Sequence, residues 1–86
     1  MILAPGQIRA ARALLGMSQR DLSAASGISE PTIKRMENDN HGPAKTTAYN
    51  AETVLLTLEK AGVVFLKTEH GPGLAIRTKQ EKVETG

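Results

Sequence analysis

Residues 19–38 read QRDLSAASGISEPTIKRMEN, and this segment carries the clearest structural signal in the chain. Ser18, directly before it, is a favoured N-cap with Asp21 three residues on, which predicts the start of a short helix. Gly27 ends that helix, because glycine adopts the positive φ that a tight turn between helices requires. Ser29 then caps a second helix. The pattern predicts a helix-turn-helix, a motif whose second helix lies in the major groove of DNA.

The second helix of this motif has an apolar face and a basic face. With a rotation of about 100° per residue and Ile33 as the inward reference, Met36 and Glu37 also point toward the core. Lys34 and Arg35 face outward together. The other side chains predicted on or beside this outer face are those of Glu30, Pro31, Thr32 and Asn38. A basic outer face on a short helix fits a groove lined with phosphates.

Arg12 and Glu37 are charged residues at positions predicted to point inward. The apolar stripe of the first helix, formed by Ile8, Ala11 and Leu15, includes Arg12. A buried charge without a partner is costly, so we predict a salt bridge between Arg12 and Glu37 that ties the first helix to the third.

The rest of the chain predicts one domain over residues 1–77 and a flexible tail over residues 78–86. Helices are expected near 5–15, 18–25, 29–38 and 47–61, and strands near 63–67 and 74–77, with a turn at 71–73. Thr47 and Asn50 are both suitable caps for the fourth helix. Further side chains expected to point inward are Leu22, Ala25, Val54, Leu55, Leu58 and Ala61. The fold class is mainly α: a compact four- to five-helix bundle followed by a short C-terminal strand or hairpin.

The composition excludes several classes of protein. The chain has 86 residues, of which 40% are apolar and 23% charged, as expected for one globular domain. It has no cysteine, which excludes a disulfide scaffold and a thiolate zinc site. No apolar run reaches the roughly 18 residues of a membrane span, so a cytoplasmic location is expected. Tyr49 and Phe65 are the only aromatic residues, too few for a base-stacking platform.

The positive charge of the chain is concentrated in its first half. Residues 1–45 hold six Lys or Arg and four Asp or Glu, whereas residues 46–86 hold five of each. The net charge of +2 therefore lies entirely in the first half, which weakly indicates an anionic partner there.

Over about residues 5–61 these features form a known pattern. The residues that carry it are Arg12, Gly16-Met17-Ser18-Gln19, Leu22, Gly27-Ile28-Ser29 and Thr32 to Asn38. The pattern resembles the lambda repressor/Cro-type helix-turn-helix family, also called the xenobiotic-response-element (XRE) family of bacterial and phage regulators. Members bind operator DNA, usually as two-fold dimers. Three features depart from the family pattern: Ser23 replaces the usual alanine, the loop over residues 39–48 is longer than usual, and residues 63–66 with a possible hairpin replace the family's fifth helix.

The resemblance implies roles for individual residues. Gln19 would bind a phosphate, and Asn38 would touch the DNA backbone. The residues that would occupy the groove-reading helix are Glu30, Pro31, Thr32, Lys34 and Arg35.

Several of these residues have a second interpretation. Ser18 and Ser29 are helix caps first and phosphate contacts second. Glu30 either accepts a hydrogen bond from cytosine N4 or complements the helix N-terminus. Arg9 and Arg20 either approach phosphate or are only solvated.

The segment after the fourth helix predicts an interface between two copies. Residues 63–66 are apolar on both faces of a strand, and a lone hairpin is marginally stable. We expect a two-fold dimer interface formed by Leu56, Val63, Val64, Phe65 and Leu66. The alternative is an exposed leucine and a hairpin that serves only the monomer.

The sequence thus predicts a regulator of transcription that binds double-stranded DNA, most simply a repressor acting as a homodimer on an inverted-repeat operator. The alternative function is that of an antitoxin, which neutralises a protein partner (a toxin) and regulates its own gene through the same motif. No nucleophile–base pair or metal-ligand spacing stands out, so neither enzymatic activity nor a cofactor is expected.

Overall fold

A computed structural model describes residues 1–77, which form four α-helices followed by a two-stranded antiparallel sheet. The elements are α1 (Pro5–Leu15), α2 (Gln19–Ser26), α3 (Glu30–Met36), α4 (Ala48–Lys60), β1 (Val63–Thr68) and β2 (Gly71–Ile76), with a 3₁₀ turn at Pro43–Lys45 before α4. The predicted fold class, a mainly helical chain with a terminal hairpin, is confirmed. The tail predicted over residues 78–86 lies outside the described residues. Among residues 1–77, none of the helices has the length and apolar content that crossing a membrane requires.

Side chains fix where the helices begin. The Ser18 hydroxyl accepts from the Asp21 amide at 2.9 Å, and the Asp21 carboxylate accepts from the Ser18 amide at 2.9 Å, which completes a capping box. The Thr47 hydroxyl accepts from the Asn50 amide at 3.1 Å, so Thr47 rather than Asn50 caps α4. Gly27, with φ of 76°, ends α2 in the left-handed conformation that the turn before α3 requires.

One core joins the helices to the inner face of the hairpin. Its members are Leu3, Ile8, Ala11, Leu22, Ile28, Ile33, Met36, Val54, Leu58, Val63 and Phe65. Ala25 and Ala61 were expected inward but are exposed. Ala25 lies about 60° around α2 from Leu22 and carries only a methyl group. Ala61 follows the last residue of α4 and so falls outside its buried stripe.

The hairpin turn lies two residues earlier than predicted. Val63 pairs with Ile76 and Thr68 with Gly71, which leaves Glu69 and His70 as the turn. The predicted turn at residues 71–73 is instead the start of β2. Pro72 is tolerated there because each strand of a two-stranded sheet is an edge strand, where a missing N–H is not needed.

Gln7 joins α1 to the hairpin. It is buried, its Nε2 donates to the carbonyl of Gly73 at 2.9 Å and to that of Leu66 at 3.4 Å, and its Oε1 accepts from the Ala4 amide at 2.8 Å. These bonds satisfy a buried amide and fix the position of the sheet relative to α1.

Candidate nucleic-acid interface

The helix α3 is anchored by one face and exposed on the other. Ile33 and Met36 are fully buried in the core. Pro31, Lys34 and Arg35 are exposed on the opposite side, and no element of the described chain covers them. Glu30 and Thr32 are half-buried beside this outer face. The structure therefore brings the side chains predicted to read a groove onto one accessible surface.

Hydrogen bonds order the first turns of α3. Ser29 caps the helix, accepting from the Thr32 amide at 3.4 Å and donating from its hydroxyl to Thr32 Oγ1 at 2.9 Å. Arg35 Nη2 also donates to Thr32 Oγ1, at 3.3 Å. This chain of contacts holds the Arg35 guanidinium along the outer face of the helix, while leaving its other N–H groups free of side-chain partners within α3.

The helix is tied to α1 by the ion pair that the sequence predicts. Arg12 Nε donates to Glu37 Oε2 at 2.6 Å, and Arg12 Nη2 donates to Glu37 Oε1 at 2.8 Å. The side chains are 19% and 4% exposed, respectively. Hydrogen bonding to Glu37 raises the pKa of the Arg12 guanidinium above its ordinary value, against the opposing effect of burial. Arg12 Nη1 also donates to the Met17 carbonyl at 3.0 Å, so one guanidinium joins α1, the α1–α2 link and the end of α3.

Gln19 contacts this ion pair. The resemblance assigns it a phosphate; in the structure it is half-buried and its Nε2 donates to Glu37 Oε1 at 3.0 Å. A side-chain amide nitrogen carries two hydrogens, so one remains for an anion at the start of α2. The same residue therefore stabilises the end of α3 and retains one amide hydrogen for a further acceptor.

Two serines of α2 hold the turn before α3. The Ser23 hydroxyl donates to the Ile28 carbonyl at 2.6 Å, and the Ser26 hydroxyl accepts from the Ile28 amide at 3.1 Å. Ser23, which replaces the family's usual alanine, thus satisfies a main-chain carbonyl of the turn. The sequence does not reveal this role, because the acceptor, the Ile28 carbonyl, lies beyond the end of α2 and its position depends on the path of the turn.

Asn38 lies after α3 rather than in it, because α3 ends at Met36 and not at residue 38 as predicted. Its side-chain oxygen accepts from the Asn40 amide at 2.8 Å, which forms an Asx turn in place of a further helical turn. Asn38 is exposed at the end of the candidate surface, so its amide nitrogen is accessible to a DNA backbone.

Arg9 is a functional candidate whose partners the sequence did not reveal. Its Nη1 donates to the main-chain carbonyl of Glu37 at 2.5 Å and to Asp39 Oδ1 at 3.2 Å. The available signal was its spacing: Arg9 precedes Arg12 by three residues, so both lie on the same side of α1.

The residues predicted for a dimer interface divide into two groups. Val63 and Phe65 are only 2% and 8% exposed and belong to the monomer's core, so neither is available to a second copy. They point inward because alternate residues of β1 face the helices. Leu56, Val64 and Leu66 are exposed at 50%, 37% and 41%, respectively.

This combination of a braced turn and an outward basic helix defines a DNA-binding regulator of the helix-turn-helix class. A family model described as "Helix-turn-helix" matches residues 8–55, more than half of the chain. The chain belongs to this family, in its lambda repressor/Cro (XRE) type. The match begins within α1, covers α2 and α3, and ends within α4, so it does not include the hairpin. No curated protein is similar enough in sequence to count as a match.

Proposed function

We propose that this protein is a sequence-specific repressor that inserts α3 into the major groove of an inverted-repeat operator as a homodimer. The observation that carries the proposal is the outer face of α3, where Lys34 and Arg35 are exposed side by side above a fully buried inner face. Such a regulator acts in the cytoplasm, where it meets chromosomal DNA directly.

The side chains on α3 match the chemistry of base edges. Lys34 and Arg35 can donate to guanine O6 and N7, the commonest specific contact in the major groove. Thr32 and Pro31 offer apolar groups to a thymine methyl, and Glu30 can accept from cytosine N4. The exposed Asn38 and the half-buried Gln19 flank the helix with side-chain donors that suit phosphate contacts, which fix the position of the protein on the duplex but do not read its sequence.

The outer face of the hairpin supports association of two copies. Val64 pairs with Ala75 and Leu66 with Gly73, so the large side chains lie on β1 and the small ones on β2. A second copy related by a two-fold axis can place its large column over the small column of the first. Such an isologous contact is self-complementary, and its side chains carry no charge to desolvate.

A two-fold dimer predicts the form of the operator. Its two α3 helices would enter successive major grooves about 34–36 Å apart on one side of the duplex, so the half-sites would be inverted copies of each other. A dimer bound across a promoter would exclude polymerase, which makes repression the simplest outcome.

Selection of bound sites from random duplex DNA tests the proposal. We expect the purified protein to enrich one inverted repeat, and Lys34→Ala and Arg35→Ala to lose or change that preference while keeping the wild-type melting temperature. Failure of the wild-type protein to enrich any duplex would overturn the proposal.

A second candidate function is binding of a protein partner, as in an antitoxin. It is favoured by an open apolar groove of about 370 Å³ between the N-terminal residues 1–4 and the turn end of the hairpin, where Met1 and Ile2 are exposed. Sedimentation separates the two: a chain that remains monomeric well above micromolar concentration yet binds a product of a neighbouring gene favours the partner over the second copy.

A further inference from the structure

The guanidinium of Arg9 holds the point at which α3 ends and the next loop begins. It donates to the carbonyl of Glu37, the C-cap of α3, and to the carboxylate of Asp39 two residues later. A cation is favoured at a helix C-terminus, where the last carbonyls carry partial negative charge. Both bonds cross 28 or more residues of sequence, so they fix tertiary rather than local structure.

Pro5 contacts the same loop one helical turn away. Gly42 is buried with φ of 76°, and a Cβ added there would lie 3.4 Å from Pro5 Cγ, so the main chain approaches α1 closely. Pro5, Arg9 and Arg12 follow the i, i+4, i+7 spacing of one helix face. This face of α1 therefore lies against the loop at Pro5, binds the main chain of Glu37 through Arg9 and binds the Glu37 carboxylate through Arg12.

We propose that Arg9 is a positioning residue for DNA recognition. Arg9 fixes the orientation of α3 relative to α1 and the path of the loop that follows α3. Both must be correct for Arg35 to reach a base edge while Asn38 reaches the DNA backbone. The inference rests on the proposed DNA binding and gives Arg9 a part in it that is neither a phosphate contact nor a solvated charge.

Replacement of Arg9 can be compared with a matched loss of charge. Arg9→Gln removes the guanidinium that binds the Glu37 carbonyl and Asp39. Lys60→Gln removes one exposed positive charge at the C-terminal end of α4. Affinity is measured for the selected duplex and for an unrelated duplex over a series of salt concentrations. We expect Arg9→Gln to bind the selected duplex about three- to tenfold more weakly, the scale of one ordinary intramolecular hydrogen bond, with unchanged affinity for the unrelated duplex.

The salt dependence separates positioning from phosphate contact. Loss of a phosphate contact weakens all sequences alike and lowers the slope of log affinity against log salt by about one. We expect the slope of Arg9→Gln to equal that of the wild type and of Lys60→Gln. A slope reduced by about one, or an unchanged affinity for the selected duplex, would overturn the assignment.

Asp39→Asn provides a second variant that acts from the loop side. It removes an acid near the DNA-facing surface, so a purely electrostatic role of this region predicts tighter binding. If the bond between Arg9 and Asp39 positions the loop, Asp39→Asn binds the selected duplex more weakly than the wild type, and tighter binding would contradict the proposal.

All titrations are run below the unfolding transitions seen by circular dichroism, so that only folded protein is compared. If the wild-type protein prefers no duplex, the proposed function itself is overturned. If the wild-type protein prefers one duplex and Arg9→Gln binds that duplex with the same affinity, only the role of Arg9 is overturned.

Discussion

The region around α3 and the outer face of the hairpin differ in the kind of interaction that they offer. Around α3 the contacts are directional: a bidentate ion pair, serine hydroxyls on the turn and an arginine on the helix end. On the outer face of the hairpin, residues 64, 66, 73 and 75 carry no polar group, and the large and small side chains only differ in size. Directional bonds suit the orientation of α3, whereas the complementary apolar surface of the hairpin suits the proposed association of two copies.

Glu37→Ala breaks the directional end most severely. It leaves the Arg12 guanidinium without its carboxylate and removes the acceptor of Gln19, so we expect a loss of about 3–5 kcal/mol in the free energy of unfolding. Chemical denaturation measures it. The control is Glu52→Ala on the exposed side of α4, which should change stability by less than about 0.5 kcal/mol. A Glu37→Ala protein as stable as the wild type would show that the pair does not hold α1 to α3.

Leu66→Glu tests the apolar end. In the proposed two-fold contact, each copy would bury a charged glutamate in place of a leucine. We therefore expect dimerisation to weaken about a hundredfold or more. Sedimentation over a concentration series measures the change. Lys67→Glu, the next residue and on the opposite face of β1, is the control and should leave the dimer intact. A wild-type protein that sediments as a monomer at every concentration would refute the interface.

Arg35→Ala sharpens the comparison at the DNA. One lost base contact should cost about 1–3 kcal/mol of binding and relax the preference at one position of each half-site. Because Arg35 is exposed, the melting temperature should stay unchanged. Competition titrations with operators mutated base by base measure the effect, and Lys60→Ala controls for the lost charge. Equal discrimination by Arg35→Ala and the wild type would remove Arg35 from the groove.

Asp21→Asn gives the smallest effect, and one that depends on pH. Hydrogen bonds from the amide and hydroxyl of Ser18 lower the pKa of Asp21 from its ordinary value of 3.8. A lowered folded-state pKa adds stability above the unfolded-state value, and that stability is lost as pH falls through the folded-state value. We therefore expect Asp21→Asn to melt slightly below the wild type at pH 7, with the gap closing below about pH 4. Glu52→Gln is the control, and a gap that widens in acid would contradict the capping role.

Features set within one or two helical turns were predictable from the sequence, and so was one ion pair between two helices. The capping box of Ser18 and Asp21 follows from residue spacing alone. The partnership of Arg12 and Glu37 followed because each charge interrupts an apolar helical stripe, and two such charges have few other ways to be satisfied.

Apart from that ion pair, the features that depend on how elements dock were not predictable. Gln7 is buried because the hairpin packs against α1, and its partners lie 59 and 66 residues away. The turn was misplaced because Gly71-Pro72-Gly73 has turn composition, whereas the pairing of Phe65 with Leu74 sets the register. Arg9 was ambiguous for the same reason, since its acceptors are a carbonyl and a loop carboxylate.

The position of Gln7 next to Arg9 and Arg12 makes α1 a strut between the two ends of the molecule. Within two turns, α1 grips the hairpin through Gln7 and the end of α3 through the arginines. In a dimer held by its hairpins, the two α3 helices would then be joined by stiff connections. Each base pair inserted between the half-sites rotates one half-site by about 35° and moves it by about 3.4 Å. A rigid dimer could not change the separation and angle of its two α3 helices to compensate. The affinity of such a dimer would therefore depend on the length of the spacer between half-sites as strongly as on their base sequence.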